Sequence, residues 1–159
     1  MKHNIKIRKA DPEDVPQVVD MVGALLQEIM QSIGVNVFDY NTEDATLQLE
    51  DFLNLEKYHV FLACEEKGKP VGMLSVCESC ALYAGGVFGM IPELYVYPDF
   101  RCQKVGHALI EQTKAFGRTR NWKRLEVTTP PLPQYDKTLA FYEREGFAIT
   151  GGRKLKVVL

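Results

Sequence analysis

The stretch from Ile91 to Leu109 constrains the fold most, because it places a strand, a turn and the start of a helix in immediate succession. Leu94 to Tyr97 are consecutive aliphatic and aromatic residues, and Pro98 ends the run, which is typical of a short strand. From Val105 onwards the apolar residues take up helical spacing. The sequence therefore predicts a strand–turn–helix unit whose helix begins directly after the turn.

The predicted turn is suited to holding a phosphate group. The first turn of a helix presents backbone N–H groups without helical partners, together with the positive end of the helix dipole. Arg101 and Lys104 add positive charge, and Gly106 allows an anion to approach the backbone closely. The residues alone leave a second interpretation open, in which this is an ordinary strand–helix connection whose basic side chains face water.

Size and composition predict a single globular domain over residues 1–159. Hydrophobic residues make up 46% of the chain and charged residues 25%, which is typical of globular proteins and argues against a disordered protein. The formal net charge of −2 gives no electrostatic reason to expect nucleic acid or an anionic membrane as a partner. The N-terminus lacks a signal-peptide pattern, and no window reaches the roughly 18 apolar residues of a membrane-spanning helix. We therefore expect a soluble, cytoplasmic protein.

The four cysteines give little reason to expect a metal or redox site. Cys77 and Cys80 have CxxC spacing, but no second such pair and no histidine pair completes a zinc-binding set. In a cytosolic protein the default state of such thiols is reduced. We expect no metal cofactor.

The periodicity of apolar residues predicts a mixed α/β order of elements. The predicted strands lie near residues 5–8, 60–64, 70–77, 94–97, 125–129, 147–149 and 154–159. The predicted helices are Pro12–Ile33 with Asp11 as N-cap, Thr42–Lys57 with Thr42 as N-cap, Val105–Gly117, and one from Asp136 or Thr138 to Gly146. The glycine-rich residues 81–89 predict a strand extension and a flexible loop. This order predicts a mixed sheet with helices on both faces.

Two separated motifs together resemble those of the GNAT superfamily of N-acetyltransferases. The first runs from Glu93 to Arg101 and continues through Val105–Leu109, and the second is Ala140–Phe147, a Phe-Tyr pair followed by Gly-Phe. The resemblance implies a GNAT-like fold, with a mostly antiparallel sheet of about seven strands, splayed between the fourth and the fifth, and about four flanking helices. The predicted order of elements matches that family over nearly the whole chain.

The resemblance also implies a binding mode for acetyl-CoA as co-substrate. The cofactor would lie where the strand of Glu93–Tyr97 separates from that of Leu125–Thr129. The backbone of Leu94–Val96 would pair with the pantetheine amides, and N–H groups from Cys102 to Ala108 would hold the pyrophosphate. The implied cofactor-binding residues are Leu94, Tyr95, Val96, Arg101, Cys102, Gln103, Lys104, Val105, Gly106, His107 and Ala108. Tyr95 and Tyr97 are expected on opposite faces of their strand, one in the cleft and the other in the core.

Two positions depart from the family pattern. Lys104 stands where the first glycine of the loop is usual, so it could strain the turn or place an ammonium group beside the pyrophosphate. The asparagine often found upstream of the Phe-Tyr pair is absent, with Tyr135 and Asp136 nearby. One hydrogen bond to the cofactor is then missing or is supplied by another residue.

The same resemblance implies that the protein would transfer an acetyl group from acetyl-CoA directly to the primary amine of an acceptor. This reaction needs a deprotonated amine, a polarised thioester and a proton for the leaving thiolate. Glu93 is the candidate general base, the N–H group of Val96 would polarise the thioester, and Tyr142 would protonate the thiolate. The alternatives are an ordinary ion pair for Glu93 and a packed core aromatic for Tyr142. His107 as a base and Cys102 as a nucleophile are disfavoured.

A different class of function stays open alongside the enzyme. The chain could be a non-catalytic module that binds acyl-CoA as a sensor or scaffold. No acidic cluster or groove pattern in the sequence identifies the acceptor, and a homodimer is compatible with the resemblance. A dinucleotide-binding enzyme is disfavoured, because the loop lacks the GxGxxG pattern.

Overall fold

The computed structural model describes residues 4–159, which form two compact units, one ending at Thr128 and the other comprising Thr129–Leu159. The interpretation of residues 1–159 as a single domain stays a prediction. The first unit contains, in chain order, β1 (Lys6–Lys9), α1 (Val15–Ile33), α2 (Thr42–Asn54), β2 (Tyr58–Cys64), β3 (Pro70–Ala81), β4 (Gly86–Ile91), β5 (Leu94–Val96), α3 (Val105–Thr119) and β6 (Leu125–Val127). The second unit contains α4 (Asp136–Arg144).

The six strands form one mixed sheet in the order β1-β2-β3-β4-β6, with β5 as an additional partner of β3. All pairs are antiparallel except β4 and β6, which run parallel. The long strand β3 serves two partners along one edge: Gly72–Leu74 pair with β5, and Cys77–Ala81 pair with β4. The predicted mostly antiparallel α/β architecture with four helices is confirmed, although the described residues form six strands rather than about seven.

The predicted strands at 147–149 and 154–159 are wrong. No residue of these segments takes part in a ladder among the described residues. Leu155, Val157 and Val158 are more than 80% exposed, and Gly151 and Gly152 have positive φ angles of 84° and 83°. Alternating apolar residues prefer an extended strand only when a neighbouring strand pairs with their backbone, so the pattern alone was not sufficient.

The glycine-rich segment 81–89 forms regular structure rather than a flexible loop. β3 continues to Ala81, and a tight turn over Leu82–Gly85 leads directly into β4 at Gly86. Gly85 and Gly86 have φ angles of 76° and 124°, which L-residues with side chains rarely adopt. The two glycines therefore permit a tight hairpin, where the composition predicted a flexible loop.

The helix ends follow the capping residues closely. The side chain of Asp11 accepts a hydrogen bond from the Glu13 N–H at 2.9 Å, as predicted, although Pro12–Asp14 form a 3-10 turn and α1 begins at Val15. Gly34 ends α1 in the left-handed conformation. The cap of α2 is Asn41, whose side chain accepts from Asp44 N–H at 3.0 Å, rather than Thr42. No helix of the described residues is long and apolar enough to cross a membrane.

Apolar side chains cover both faces of the sheet. On one face, α1 and α2 bury a cluster against β2, β3 and β5, comprising Val15, Val18, Val19, Met21, Leu49, Val60, Leu62, Cys64, Met73 and Tyr95. On the other face, Phe116 of α3 contacts the alternate residues His59 and Phe61 of β2, with ring centroids 4.7 and 5.4 Å apart. Hydrophobic burial thus fixes α1 and α3 on opposite sides of the same strands.

Trp122 packs closely between α3 and the sheet. A Cβ atom on Gly89 would lie 2.6 Å from the Trp122 ring, and one on Gly117 would lie 2.9 Å from it. The indole Nε1 donates to Glu78 Oε2 at 2.7 Å, which satisfies its buried polar group. Arg120 donates to the same oxygen at 3.1 Å. The absence of side chains at Gly89 and Gly117 therefore makes room for the tryptophan that anchors the connection to β6.

His59 is a buried polar residue on this face. Its Nε2 atom has no hydrogen-bond partner among residues 4–159, and the side chain is buried against Phe116. Burial lowers the pKa of His59 to about 4, and the charges of Lys9 and Arg120 act in the same direction, while Glu78 opposes them. The folded protein therefore holds this imidazole neutral at pH values where an unfolded chain would protonate it.

We expect this histidine to make stability depend on pH. Between pH 6.5 and pH 4 the unfolded state binds a proton that the folded state does not, so the free energy of unfolding falls as the pH falls. This single group should lower it by about 2 kcal/mol from pH 7 to pH 5. Urea denaturation at the two pH values tests this expectation, with His59→Leu as the variant that lacks the titration. An equal pH dependence in the variant would contradict the assignment.

Candidate active site

A break between β4 and β5 defines the centre of the candidate site. Between the pairs Cys77–Met90 and Leu74–Leu94, two residues of β3 lie opposite three residues, Ile91, Pro92 and Glu93. One extra residue on one strand is a β-bulge, and Pro92 cannot donate to a ladder because it has no N–H. The bulge changes the direction of the strand and places Glu93 at its corner.

β5 lies beyond the end of the ladder formed by β6. β6 pairs only with Gly89–Ile91 and ends at Val127, after which Pro130 and Pro131 follow. Among the described strands, only β3 pairs with β5. The predicted separation between the strand of Glu93–Tyr97 and that of Leu125–Thr129 therefore corresponds to an unpaired outer edge on β5.

The hydrogen bonds to β3 decide which backbone groups reach that outer edge. The Glu93 carbonyl accepts from Ser75 N–H at 2.9 Å, and the Tyr97 N–H donates to Val71 O at 3.0 Å. Alternate residues of an antiparallel strand direct their polar backbone groups to opposite sides, so those of Leu94 and Val96 point away from β3. Arg101 Nε donates to the Val96 carbonyl at 2.8 Å. The groups of Leu94 and the N–H of Val96 are therefore positioned to pair with an extended ligand.

The turn after β5 leads into the N-terminus of α3. Lys104 is the N-cap residue, with no side-chain cap, and the first helical hydrogen bond runs from Ala108 N–H to Lys104 O at 3.0 Å. The N–H groups of Val105 and Gly106 precede that bond and point along the helix axis at its positive end. Lys104 and Cys102 are exposed around them. This arrangement is suited to an anionic group such as a pyrophosphate.

Lys104 adopts the backbone conformation that favours glycine. Its φ angle is 65° and that of Cys102 is 59°, both in the left-handed region. A side chain in this conformation costs about 1–2 kcal/mol relative to glycine. The structure therefore gives a physical reason for the usual glycine at this place, and it shows that the lysine strains the turn.

Arg101 connects the loop to α1. Its guanidinium donates two hydrogen bonds to Glu28, at 2.7 and 2.8 Å, and lies 5.5 Å from the centre of the Tyr95 ring. These contacts hold the start of the loop against α1 and β5. The contact of Arg101 with the cofactor stays a prediction, as do those of Cys102, His107 and Gln103, whose side chain donates to Asp99 O at 2.9 Å.

The expectation that Tyr95 and Tyr97 lie on opposite faces is wrong. Their rings contact each other at 5.5 Å, and both pack against the core beneath α1 and α2. Residues two apart in a strand share a face, because side chains alternate with a period of two. Tyr95 contributes to the site through its position in the strand and through its contact with Arg101.

Two hydroxyl groups from neighbouring strands hold the side chain of Glu93. Its Oε2 atom accepts a hydrogen bond from the Tyr58 hydroxyl at 2.7 Å and another from the Ser75 hydroxyl. The Glu93 N–H in turn donates to Ser75 Oγ at 3.1 Å. Burial, and then the negative charge of Glu93, raise the pKa of Tyr58 above its ordinary value, so the phenol stays protonated.

The sequence predicted Glu93 as the base, which stays a prediction, but did not identify its two hydrogen-bond partners. Tyr58 and Ser75 precede it by 35 and 18 residues, so no local motif contains them. One signal was present, since Ser75 is a polar residue inside the apolar run of β3. A fully buried hydroxyl in such a run requires a hydrogen-bond partner.

Tyr142 lies in α4 of the second unit. The second motif, Ala140–Phe147, covers the end of this helix and the turn that follows it. The Tyr142 ring contacts Phe141 and Phe147, with centroids 5.2 and 5.4 Å apart, and the Tyr142 carbonyl accepts from Phe147 N–H at 3.0 Å. Burial raises the pKa of Tyr142 above its ordinary value. The phenol is therefore protonated at neutral pH, which is the form that can donate a proton.

Comparison with known proteins identifies a family to which this sequence is similar. The sequence model of the acetyltransferase (GNAT) domain matches residues 56–149. An uncharacterized N-acetyltransferase of Methanocaldococcus jannaschii is 31% identical over 88 residues, which are 55% of this chain and 38% of that protein. The chain thus spans about two fifths of the length of the curated relative that it matches.

Solved structures with a similar fold include two acetyltransferases. One is an aminoglycoside acetyltransferase from an uncultured soil metagenomic sample in complex with sisomicin, with a TM-score of 0.75 and 21% identity over 98% of this chain and 96% of that chain. The other is a predicted acetyltransferase of Clostridium acetobutylicum with acetyl-CoA, with a TM-score of 0.74 and 18% identity over 97% and 96% of the two chains. These likenesses concern the fold, and the domain match covers more than half of the sequence. The chain belongs to the GNAT family of acetyltransferases.

Proposed function

We propose that the protein transfers an acetyl group from acetyl-CoA to a primary amine of an acceptor. One observation carries this proposal: the outward backbone edge of β5 leads within a few residues to the N-terminus of α3, with Glu93 at the bulge that starts the strand. This continuous segment offers hydrogen-bonding groups for an extended amide chain, then N–H groups for an anion, and a carboxylate for a proton.

In the proposed complex, Leu94 and Val96 bind the pantetheine through their backbone groups, and the residues from Cys102 to Ala108 hold the pyrophosphate. The N–H groups of Val105 and Gly106 supply the direct contacts, with Lys104 as a nearby cation. The family as a whole and a neighbour that was solved with acetyl-CoA support this choice of cofactor.

The proposed reaction is a direct transfer. Glu93 accepts a proton from the acceptor ammonium group, through a water molecule, and leaves a nucleophilic amine. The amine nitrogen attacks the thioester carbon while the Val96 N–H stabilises the negative charge on the carbonyl oxygen. The C–S bond then breaks, and the CoA thiolate takes a proton from Tyr142, whose burial keeps it protonated. The nitrogen of the new amide releases its second proton, which restores the phenol of Tyr142.

The charge distribution supports a cationic acceptor. Residues 10–56, which include α1 and α2, contain eleven aspartates and glutamates and no lysine, arginine or histidine. Asp14 pairs with Arg8 and Glu28 with Arg101, and most of the others are exposed. α1 packs against β3 and β5, so this acidic segment lies beside the proposed cofactor strand. A neighbour of similar fold acts on aminoglycosides, which is consistent with an amine acceptor.

The reaction is tested by mixing the protein with acetyl-CoA and a panel of amines and measuring the release of free CoA thiol. We expect Glu93→Gln to lower kcat about 100-fold and Tyr142→Phe to lower it at least tenfold, because each removes a proton-transfer group. The dissociation constant of acetyl-CoA, measured by calorimetry, should stay within about twofold.

Matched controls for these variants are Glu66→Gln in the β2–β3 turn and Tyr83→Phe, which are exposed. Both should retain wild-type turnover. Acetyl-CoA binding without turnover of any amine by the wild-type protein would instead favour a non-catalytic acyl-CoA-binding module.

The strain at Lys104 makes a separate prediction. Lys104→Gly should raise the free energy of unfolding by about 1 kcal/mol, because glycine adopts the left-handed conformation without a Cβ penalty. Lys104→Ala loses the same ammonium group but keeps the Cβ atom, so its stability should stay near that of the wild type. Urea denaturation of the three proteins measures the difference. Equal stability of the glycine and alanine variants would show that this turn is not strained.

The acidic segment predicts a dependence on ionic strength. With a polyamine acceptor, kcat/KM should fall severalfold between 20 mM and 300 mM salt, because salt screens the attraction between the segment and a multiply charged amine. With a monoamine of similar size the fall should be smaller. The two acceptors compared at constant pH provide the measurement, and identical salt dependence would argue against electrostatic attraction of the acceptor.

A further inference from the structure

We propose that Tyr58 and Ser75 are positioning residues that hold one oxygen of Glu93, Oε2, and leave the other, Oε1, to accept the proton of the acceptor amine. This inference rests on the proposed function and assigns the two carboxylate oxygens different roles. It goes beyond the choice of Glu93 as the base, because it names the atom that reacts and the residues that orient it.

The first argument is the distribution of donors on the carboxylate. The Tyr58 hydroxyl, at 2.7 Å, and the Ser75 hydroxyl both donate to Oε2. No donor among residues 4–159 reaches Oε1. A carboxylate oxygen that accepts two hydrogen bonds has little capacity left for a third partner, so an incoming proton or water molecule meets Oε1.

The second argument is the way in which Ser75 fixes the backbone as well as the side chain of Glu93. Its hydroxyl donates to the carboxylate and accepts from the Glu93 N–H at 3.1 Å, and its own N–H donates to the Glu93 carbonyl at 2.9 Å. Ser75 is completely buried in β3, next to the Leu74–Leu94 pair. The residue at the bulge is therefore held at three of its polar groups by one residue of the neighbouring strand.

The third argument concerns the setting of Tyr58. It begins β2 opposite Cys77, and its ring packs against Phe52 of α2 with centroids 5.2 Å apart. Packing restricts the ring, so the hydroxyl is directed at Glu93 before any substrate binds. Preorganised donors of this kind cost little reorganisation during a reaction.

The geometry predicts which kinetic parameter depends on the two donors. Loss of the Tyr58 hydroxyl leaves the Glu93 carboxylate held by the Ser75 hydroxyl alone, so Oε1 is less well oriented toward the acceptor amine and turnover slows. The outward backbone groups of Leu94 and Val96, which would bind the cofactor, do not change. A fall in kcat without a change in cofactor affinity therefore separates positioning of the base from a general disturbance of the site.

The test uses Tyr58→Phe in the full-length protein, assayed with acetyl-CoA and the best amine of the panel. We expect kcat to fall about tenfold, while the KM of the amine and the dissociation constant of acetyl-CoA stay within about twofold. Ser75→Ala should lower kcat in the same way.

Tyr40→Phe is the matched control. The Tyr40 hydroxyl donates to the Val19 carbonyl at 2.6 Å and not to Glu93, so the same substitution in the same part of the fold leaves both donors in place. This variant should keep the wild-type kcat.

The outcomes separate this inference from the proposed function. An active wild type in which Tyr58→Phe and Ser75→Ala both keep the wild-type kcat would overturn the positioning role, while the acetyltransferase activity stands. A fall in kcat of equal size in Tyr40→Phe would also overturn it. A wild type that transfers no acetyl group to any amine would overturn the proposed function and this role together.

Discussion

The extra residue between β4 and β5 is the constraint on which the rest of the site depends. Without the bulge at Pro92 and Glu93, one continuous strand would pair along β3, and the side chains beyond it would point to the opposite faces. With the bulge, β6 stays with β4 while β5 has an unpaired edge. The same irregularity therefore provides the backbone edge for a ligand and brings a carboxylate to the corner.

The rigid parts of the fold hold this irregularity in place from both faces of the sheet. Beneath α1 and α2 lies the apolar cluster that includes Tyr95 of β5. On the opposite face, Trp122 packs against Gly89 of β4 and Gly117 of α3, and its indole bonds to Glu78 of β3. Close packing of this kind resists small displacements, so the direction of the strand at the bulge is set by the whole sheet.

The sequence allowed the strand and helix of the site to be predicted better than the hydrogen-bond partners of its side chains. The strand at Leu94–Val96, the helix after Lys104 and the N-terminal cap at Asp11 follow from local chemistry. The contacts of Glu93 with Tyr58 and Ser75 depend on which strands pair, and local patterns carry no register. The prediction of a strand at 154–159 was wrong for the same reason, since alternating apolar residues form a strand only where a neighbouring strand pairs with them.

Ser75 links the chemistry of the site to the stability of the sheet. Its hydroxyl is buried in the central strand and donates to the Glu93 carboxylate. Replacing Glu93 by an apolar residue would remove the carboxylate to which this hydroxyl and that of Tyr58 both donate, and an unsatisfied buried hydroxyl costs about 1–3 kcal/mol. Folding stability alone therefore favours a hydrogen-bond acceptor at this position. A protein of this fold that no longer catalysed the reaction would still gain stability from the same arrangement of Glu93, Ser75 and Tyr58.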